Sequence, residues 1–415
     1  MKNKVLLAIS KITNYHHLNR SAQLIILLHF FFCFAEGISS IFVSIYIWEI
    51  QHNLFDIASF YLYQSITFFL CVPIVGKLLK HQSSTFSIGI GALLLAIFYL
   101  LLLQNHSAHY IALMGLLQGS GYIFYWTGFH YLSVSLTKTS ERSLFNSYNE
   151  ISGALSSLIS PAIAGGFIVL MPGKIGYIYI FSTSLLLYLT TTILSIFTKI
   201  PPSSTKHFAL PLILKISLNP NKKWFWGMQM IFIHGFCEGI FLFLPSVIYF
   251  LYFHNEWNLG LLTSMLACLA LLSNFLVGRF LPNANRNHAI FWGVFIHSLL
   301  TLSFAIYPTW ITVLLFGLGI SLAKPWYNVP QLTIVFDFIH QQPAKKEHYI
   351  EYLAAREISL GLGRMVSFVL LIALITQFHK AEESLSWYAL ILTFGLPYFW
   401  ITALKFSRNQ KKIFL

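Results

Sequence analysis

Residues 34–40 read FAEGISS and residues 236–242 read FCEGIFL. In each, a glutamate followed by a glycine sits in the middle of a long apolar run, and the two copies lie 202 positions apart in a chain of 415 residues. Composition decides which solvent surrounds them. A chain that is 57% hydrophobic and 9% charged, with a mean hydropathy of +0.70, is an integral membrane protein. Both glutamates therefore belong to membrane-spanning segments, where an ionisable side chain must face protein or a water-filled cavity.

A bilayer core of about 30 Å takes about 20 apolar residues in a helix. Twelve such runs start near Leu24, Ile57, Phe86, Tyr110, Ser143, Tyr177, Trp226, Leu259, Ala289, Trp310, Ile350 and Leu385; they are numbered here as spans 1 to 12. The alternation of period two that a membrane barrel requires is absent, so the spans are expected to be helices. The N-terminus, the loops after spans 2, 4, 6, 8 and 10, and the C-terminus carry 21 of the 26 Lys and Arg residues. Both termini are therefore expected in the cytoplasm. This asymmetry accounts for the net charge of +13, which is not read as a nucleic-acid footprint. Trp48, Trp224, Trp226, Trp257, Trp310, Trp387 and Trp400 fall near span ends, as interfacial anchors do. The four cysteines lie inside apolar runs and read as core residues rather than a disulfide framework. The N-terminal MKNKVLLAIS reads as a basic cytoplasmic tail, its apolar stretch being too short for a cleaved signal.

The paired glutamates are part of a repeat. VGKL at 75–78 and VGRF at 277–280 end spans 2 and 8 at the same offset of 202. Gly119 and Trp126 of span 4 match Gly319 and Trp326 of span 10 at offset 200, and EIS at 150–152 matches EIS at 357–359 at offset 207. The chain thus divides into a six-helix half over residues 1–197, a basic cytoplasmic linker over 198–223 and a second six-helix half over 224–415. The linker segment FALPLILKISL is expected on the membrane surface.

Two parallel six-span halves with both termini inside resemble the major facilitator superfamily across essentially the whole chain. Local motifs are degenerate: GKLLK from Gly76 to Lys80 stands where the family's GxLxDRxGR signature belongs, with lysine in place of the aspartate. GLLQG in span 4 has Gly115 where the RxxQG motif has arginine. In span 5, Ser156, Ser160, Pro161, Ala164 and Gly165 echo the antiporter-type GxxxGPxxGG with small residues in place of glycine. REISLGLGR in span 11 is similar to a run in a poorly characterised bacterial branch, which implies a bacterial inner (plasma) membrane. The resemblance also implies that spans 1, 4, 7 and 10 line a central cavity, that span 2 packs on span 11, and that span 5 packs on span 8.

Glu36 and Glu238 stand at the midpoints of spans 1 and 7, and Lys324 next to that of span 10. His29, Cys33, Glu36, Ser40 and Ser44 form one polar stripe; Ser321, Lys324, Asn328 and Gln331 form another. Glu36, Glu238, Lys324, Asn328, Arg364, Trp126 and Trp326 are the candidate substrate or coupling-ion residues. The competing reading of the charges is an ion pair in which Lys324 or Arg364 neutralises a glutamate, and the two tryptophans read equally as packing. His29, His130, His234 and His297 read as satisfied core histidines rather than proton carriers. For the cytoplasmic gate the candidates are Gly76, Lys77, Gly278, Arg279, Glu150 and Glu357, with Lys77 expected to approach Glu357 and Arg279 to approach Glu150. The alternative there is that Arg356 and Arg364 satisfy Glu357 within span 11.

No HExxH, GxSxG or Walker sequence appears, so no enzyme, metal, cofactor or ATP-driven pump is expected. The expected function is a monomeric secondary transporter of a small molecule, proton-coupled and working by alternating access. The alternative is a membrane sensor or assembly partner that keeps the fold without transport.

Overall fold

The computed structural model describes residues 20–104, 110–135, 139–171, 174–198, 200, 207–241, 244–253, 255–282, 285–341, 348–378 and 381–408. Spans 1 to 6 are the helices Arg20–Gln51, Leu54–His81, Ser84–Gln104, Ile111–Ser135, Thr139–Leu170 and Ile175–Phe197. The linker contains a short helix, Leu210–Ser217. Span 7 consists of Lys223–Phe241 and Leu244–Phe253; spans 8 and 9 are Glu256–Phe280 and Arg286–Ile306. Span 10 runs as Trp310–Leu318, a π turn Gly319–Ala323, and Lys324–Gln341, followed by spans 11 (Tyr349–Gln377) and 12 (Ala381–Arg408).

Eleven of these helices are long and apolar enough to cross a membrane among the described residues. Span 4 is the exception to the expected twelve. At 25 residues it extends about 37 Å, which is long enough, but Gln118, Tyr122, Trp126, His130 and its glycines make it less apolar. Those are the residues of an interior helix rather than a lipid-facing one.

The halves are built alike. Span 1 packs on spans 5 and 6, span 3 on spans 4 and 6, and span 2 on span 4; spans 7, 9 and 8 make the corresponding contacts with spans 11 and 12, 10 and 12, and 10. Span 2 packs against span 11 and span 5 against span 8 across the halves, and Leu244–Phe253 touches span 1. Even the helix caps repeat. The Asn53 side chain accepts from the Phe55 amide at 2.8 Å and the Asn255 side chain from the Trp257 amide at 2.8 Å, again 202 positions apart and each followed by an acid in the first turn, Asp56 and Glu256.

The second residue of each EG pair explains itself at this level. A side chain at Gly37 would press on the Ser156 carbonyl and on Ser160 of span 5, and one at Gly239 would press on Ser367 of span 11. Glycine lets each glutamate-bearing helix approach its neighbour closely, the usual packing device where lipid provides no hydrophobic drive. The small residues of span 5 continue it toward span 8: the Ala162 amide donates to Ser264 Oγ at 3.2 Å, and Gly260 faces the Pro161 carbonyl. Large apolar side chains such as Phe69, Ile74, Phe275, Trp292 and Phe394 point outward, where a bilayer would cover them. The linker helix docks Leu210 and Ile213 against the bundle, next to spans 7 and 11, and turns Leu212 outward. All four cysteines are free thiols; Cys268 faces outward instead of lying in the core.

Candidate functional site: two glutamates at the centre of the bundle

Glu36 stands halfway along span 1 and Glu238 halfway along span 7, but their partners differ in kind. Glu36 is half-buried and accepts from the Tyr122 hydroxyl, 2.8 Å from both carboxylate oxygens, and from the Tyr188 hydroxyl at 2.9 Å. Among the described residues no Lys, Arg or His nitrogen lies within the 4.0 Å of an ion pair. Glu238 instead binds two cations. Lys324 Nζ is 3.2 Å from Oε1 and Arg364 Nη2 is 2.8 Å from Oε2, with His234 Nε2 farther off at 3.7 Å. Exposures of 17%, 22% and 15% for the Glu238, Lys324 and Arg364 side chains keep this cluster in reach of solvent.

The contacts obey the repeat while the chemistry departs from it. Tyr122 and Lys324 are 202 positions apart, as Glu36 and Glu238 are. Span 4 therefore gives its glutamate a neutral hydroxyl where span 10 gives an ammonium. A π turn ends at Ala323, immediately before Lys324; such insertions re-aim side chains and collect at functional positions. Arg364 also lies over the Phe68 ring of span 2, 5.0 Å from its centroid, so the cation cluster touches the N-terminal half.

Of the other candidates, Asn328 is half-buried one turn below Lys324, and its side chain makes no hydrogen bond among the described residues. Trp126 is half-buried in an aromatic wall, edge-on to His29 and Phe32 at 5.8 and 5.6 Å and stacked on His130 at 5.6 Å. Trp326 packs on Gly293 of span 9. His29 binds the Tyr125 hydroxyl at 2.8 Å and His297 the Tyr327 hydroxyl at 3.0 Å.

The gate candidates are arranged differently from the expected pairs. Lys77 and Arg279 are exposed, Glu357 pairs with its neighbour Arg356, and the Glu150 side chain lies outside the described residues. Lys77 sits on the outer face of span 2, one turn from the residue that does cross. Lys80 reaches span 11 instead, with Nζ 3.0 Å from Glu351 Oε1, the pair 1% and 0% exposed. Glu351 also accepts from the Ala209 amide at the start of the linker helix, at 3.1 Å. Gly76 leaves room for the ring of Phe208, which a side chain there would strike, whereas Gly278 faces open space. One buried ion pair thus ties both halves and the linker together.

Sequence reasoning missed Tyr122, Tyr188, Lys80 and Glu351 as partners. Gln118, Tyr122 and Trp126 follow at spacings of four, and Ser184, Tyr188, Thr191 and Ser195 at spacings of four, three and four, so both tyrosines belonged to legible polar stripes. Among the described residues no group of His, Cys, Asp and Glu is arranged to hold a metal ion.

A helical bundle of this topology, crossing a membrane many times with ionisable side chains at its centre, has the build of a membrane transporter. The chain belongs to the Major Facilitator Superfamily, whose family model matches residues 25–344. It is 29% identical over 385 residues to YqgE of Bacillus subtilis (strain 168), an uncharacterized protein, covering 90% of this chain and 87% of that one. Among solved structures it is similar to a mutant of the nucleoside transporter NupG, with a TM-score of 0.73 at 14% identity over 94% of this chain and 100% of that one. It is also similar to a bacterial homologue of the iron transporter ferroportin in an inward-facing state, with a TM-score of 0.66 at 15% identity over 94% and 98%. At these identities the likeness is one of fold.

Proposed function

We propose that the protein is a proton-coupled secondary transporter of a small molecule in a bacterial inner membrane, working as a monomer with both termini in the cytoplasm. Residues 1–197 and 224–415 move as two bodies about the central site, with 198–223 as the tether. The observation that carries this reading is the unequal treatment of the repeated glutamates. Glu238 is neutralised by protein cations and anchors the site. Glu36 has hydroxyl donors and no cation, so its charge is left for a mobile ion, and a carboxylate held by hydroxyls takes and releases a proton without breaking a salt bridge. Lys324, Arg364 and Asn328 face the solute, with Trp126 and Trp326 as walls.

The test is uptake into proteoliposomes from a broad metabolite mixture under an imposed pH gradient. Saturable accumulation of at least one solute, lost with Glu36→Gln, is expected. If no solute accumulates under any gradient, the protein keeps the fold as a sensor or assembly partner and the transport reading fails.

A further inference from the structure

We propose that the protein carries one proton and one organic monoanion together, electroneutrally, with the anionic group docking on Lys324 and Arg364 and the proton on Glu36. This rests on the transporter reading above and adds the charge of the substrate and the stoichiometry.

The inference follows from how the central charges are partitioned. Lys324 and Arg364 share the single carboxylate of Glu238, so with His234 neutral this central cluster carries one positive charge in excess. A third cation beside one carboxylate would be unfavourable, which is why His234, 3.7 Å away, is counted as neutral. The donors are also in surplus. Lysine has three and arginine five, Glu238 takes one from each, and Arg364 Nε is buried with no hydrogen-bond partner among the described residues. A carboxylate or phosphate monoester monoanion satisfies that surplus and that charge.

On the N-terminal side Glu36 supplies one negative charge in excess. Among the described residues the groups facing it are all neutral: Tyr122 from span 4 and Tyr188 from span 6. Span 2 presents Tyr61, bound to Ser44 at 2.8 Å, and span 3 presents Tyr99, bound to Ser39 at 2.5 Å. Span 5 meets Gly37 with Ser156 and Ser160, and Leu244–Phe253 of span 7 carries only Tyr249 and Tyr252 as titratable groups. Along span 1 itself, Cys33 and His29 are engaged with one another at 3.4 Å. Elsewhere in span 11, Arg356 and Glu357 cancel.

Two states of the centre are then neutral. Empty, the Glu36 carboxylate balances the excess cation; loaded with proton and monoanion, Glu36 is neutral and the bound anion balances it. The proton alone leaves one positive charge uncompensated, and the anion alone one negative charge. Moving the halves past one another with a net charge at the bilayer centre is unfavourable, so both neutral states reorient and the half-loaded ones do not. That selection couples the two fluxes one to one: the proton enters from water on one side, sits on a Glu36 oxygen, and leaves to water on the other with the anion.

The experiment uses the full chain in proteoliposomes and a defined mixture of water-soluble monoanions, dianions, zwitterions, cations and neutral solutes, with internal contents read by mass spectrometry. An outside-acid gradient is expected to accumulate solutes of one negative charge, and a potassium diffusion potential set with valinomycin is expected to leave that accumulation unchanged. With Glu36→Gln the empty centre keeps an uncompensated positive charge. Net uptake is therefore expected to fall roughly 100-fold relative to exchange of internal for external solute, about 2.7 kcal/mol at 1.36 kcal/mol per decade and in the range of one charge at the centre of a spanning helix. Accumulation of neutral, cationic or doubly charged solutes, or accumulation that follows the potential, overturns the inference while leaving transport intact. Absence of any uptake instead overturns the transporter reading on which it rests.

Discussion

Glu36 and Glu238 occupy equivalent places in the repeat, and the side chains around them make them opposite in energetic character. Removing the Glu238 charge leaves Lys324 and Arg364 side by side and unpaired; breaking a fully buried pair in this way costs about 3–5 kcal/mol, and the partial exposure of this cluster lowers that cost. Glu238→Gln is therefore expected to lower the thermal unfolding midpoint in detergent clearly, and combining it with Lys324→Gln to restore part of the loss. Glu36→Gln keeps an oxygen for the Tyr122 and Tyr188 hydroxyls and breaks no ion pair, so its effect is expected within about 1 kcal/mol. Equal melting points for the two single variants would show that the cation cluster is not what holds Glu238. Lys324→Ala leaves Arg364 on Glu238, so it is expected to raise the apparent substrate constant with little loss of folded protein.

Between elements, the decisive contact is where span 2, span 11 and the linker converge. Lys80 is 1% exposed and has Glu351 as its carboxylate partner, while the Ala209 amide ties that same carboxylate to the linker helix. Glu351→Gln removes a buried countercharge between the halves, again about 3–5 kcal/mol in the closed arrangement. We expect it to open the cytoplasmic side, read as faster maleimide labelling of a single cysteine at position 328 in a background lacking the four native cysteines. Lys77→Ala and Arg279→Ala, on exposed side chains, are expected to label at the parent rate. Gly76→Leu places a side chain where the Phe208 ring lies and is expected to act like Glu351→Gln by displacing the linker. If Glu351→Gln and Lys77→Ala label alike, the buried pair is not the latch.

For the whole molecule, much was legible in the sequence because the bilayer limits the options: twelve apolar runs and repeats at offsets near 202 led to a fold in which each of the twelve spans starts within four residues of its expected position. The site was legible as a set of residues and not as a set of partners. Periodicity places Glu36 and Lys324 on interior faces, but which cation meets which glutamate depends on the rotation of whole helices, which no spacing within one helix reports. The same holds where span 2 meets span 11: Lys77 and Lys80 differ by about 60° around span 2, short of a full turn over three residues, and only the second points at span 11. The π turn before Lys324 was illegible for a related reason: one extra residue in a turn leaves composition and apolarity unchanged.

The central claim is that the charge on Glu36, and not that on Glu238, is the one exchanged with a mobile ion as the two halves move. Spin labels at positions 77 and 279, exposed on spans 2 and 8, test it without a known substrate when their distance distribution is recorded across a range of pH by double electron–electron resonance. The account predicts that the parent redistributes between two populations with pH and that Glu36→Gln holds one distribution throughout. A Glu36→Gln variant that still redistributes like the parent would contradict it.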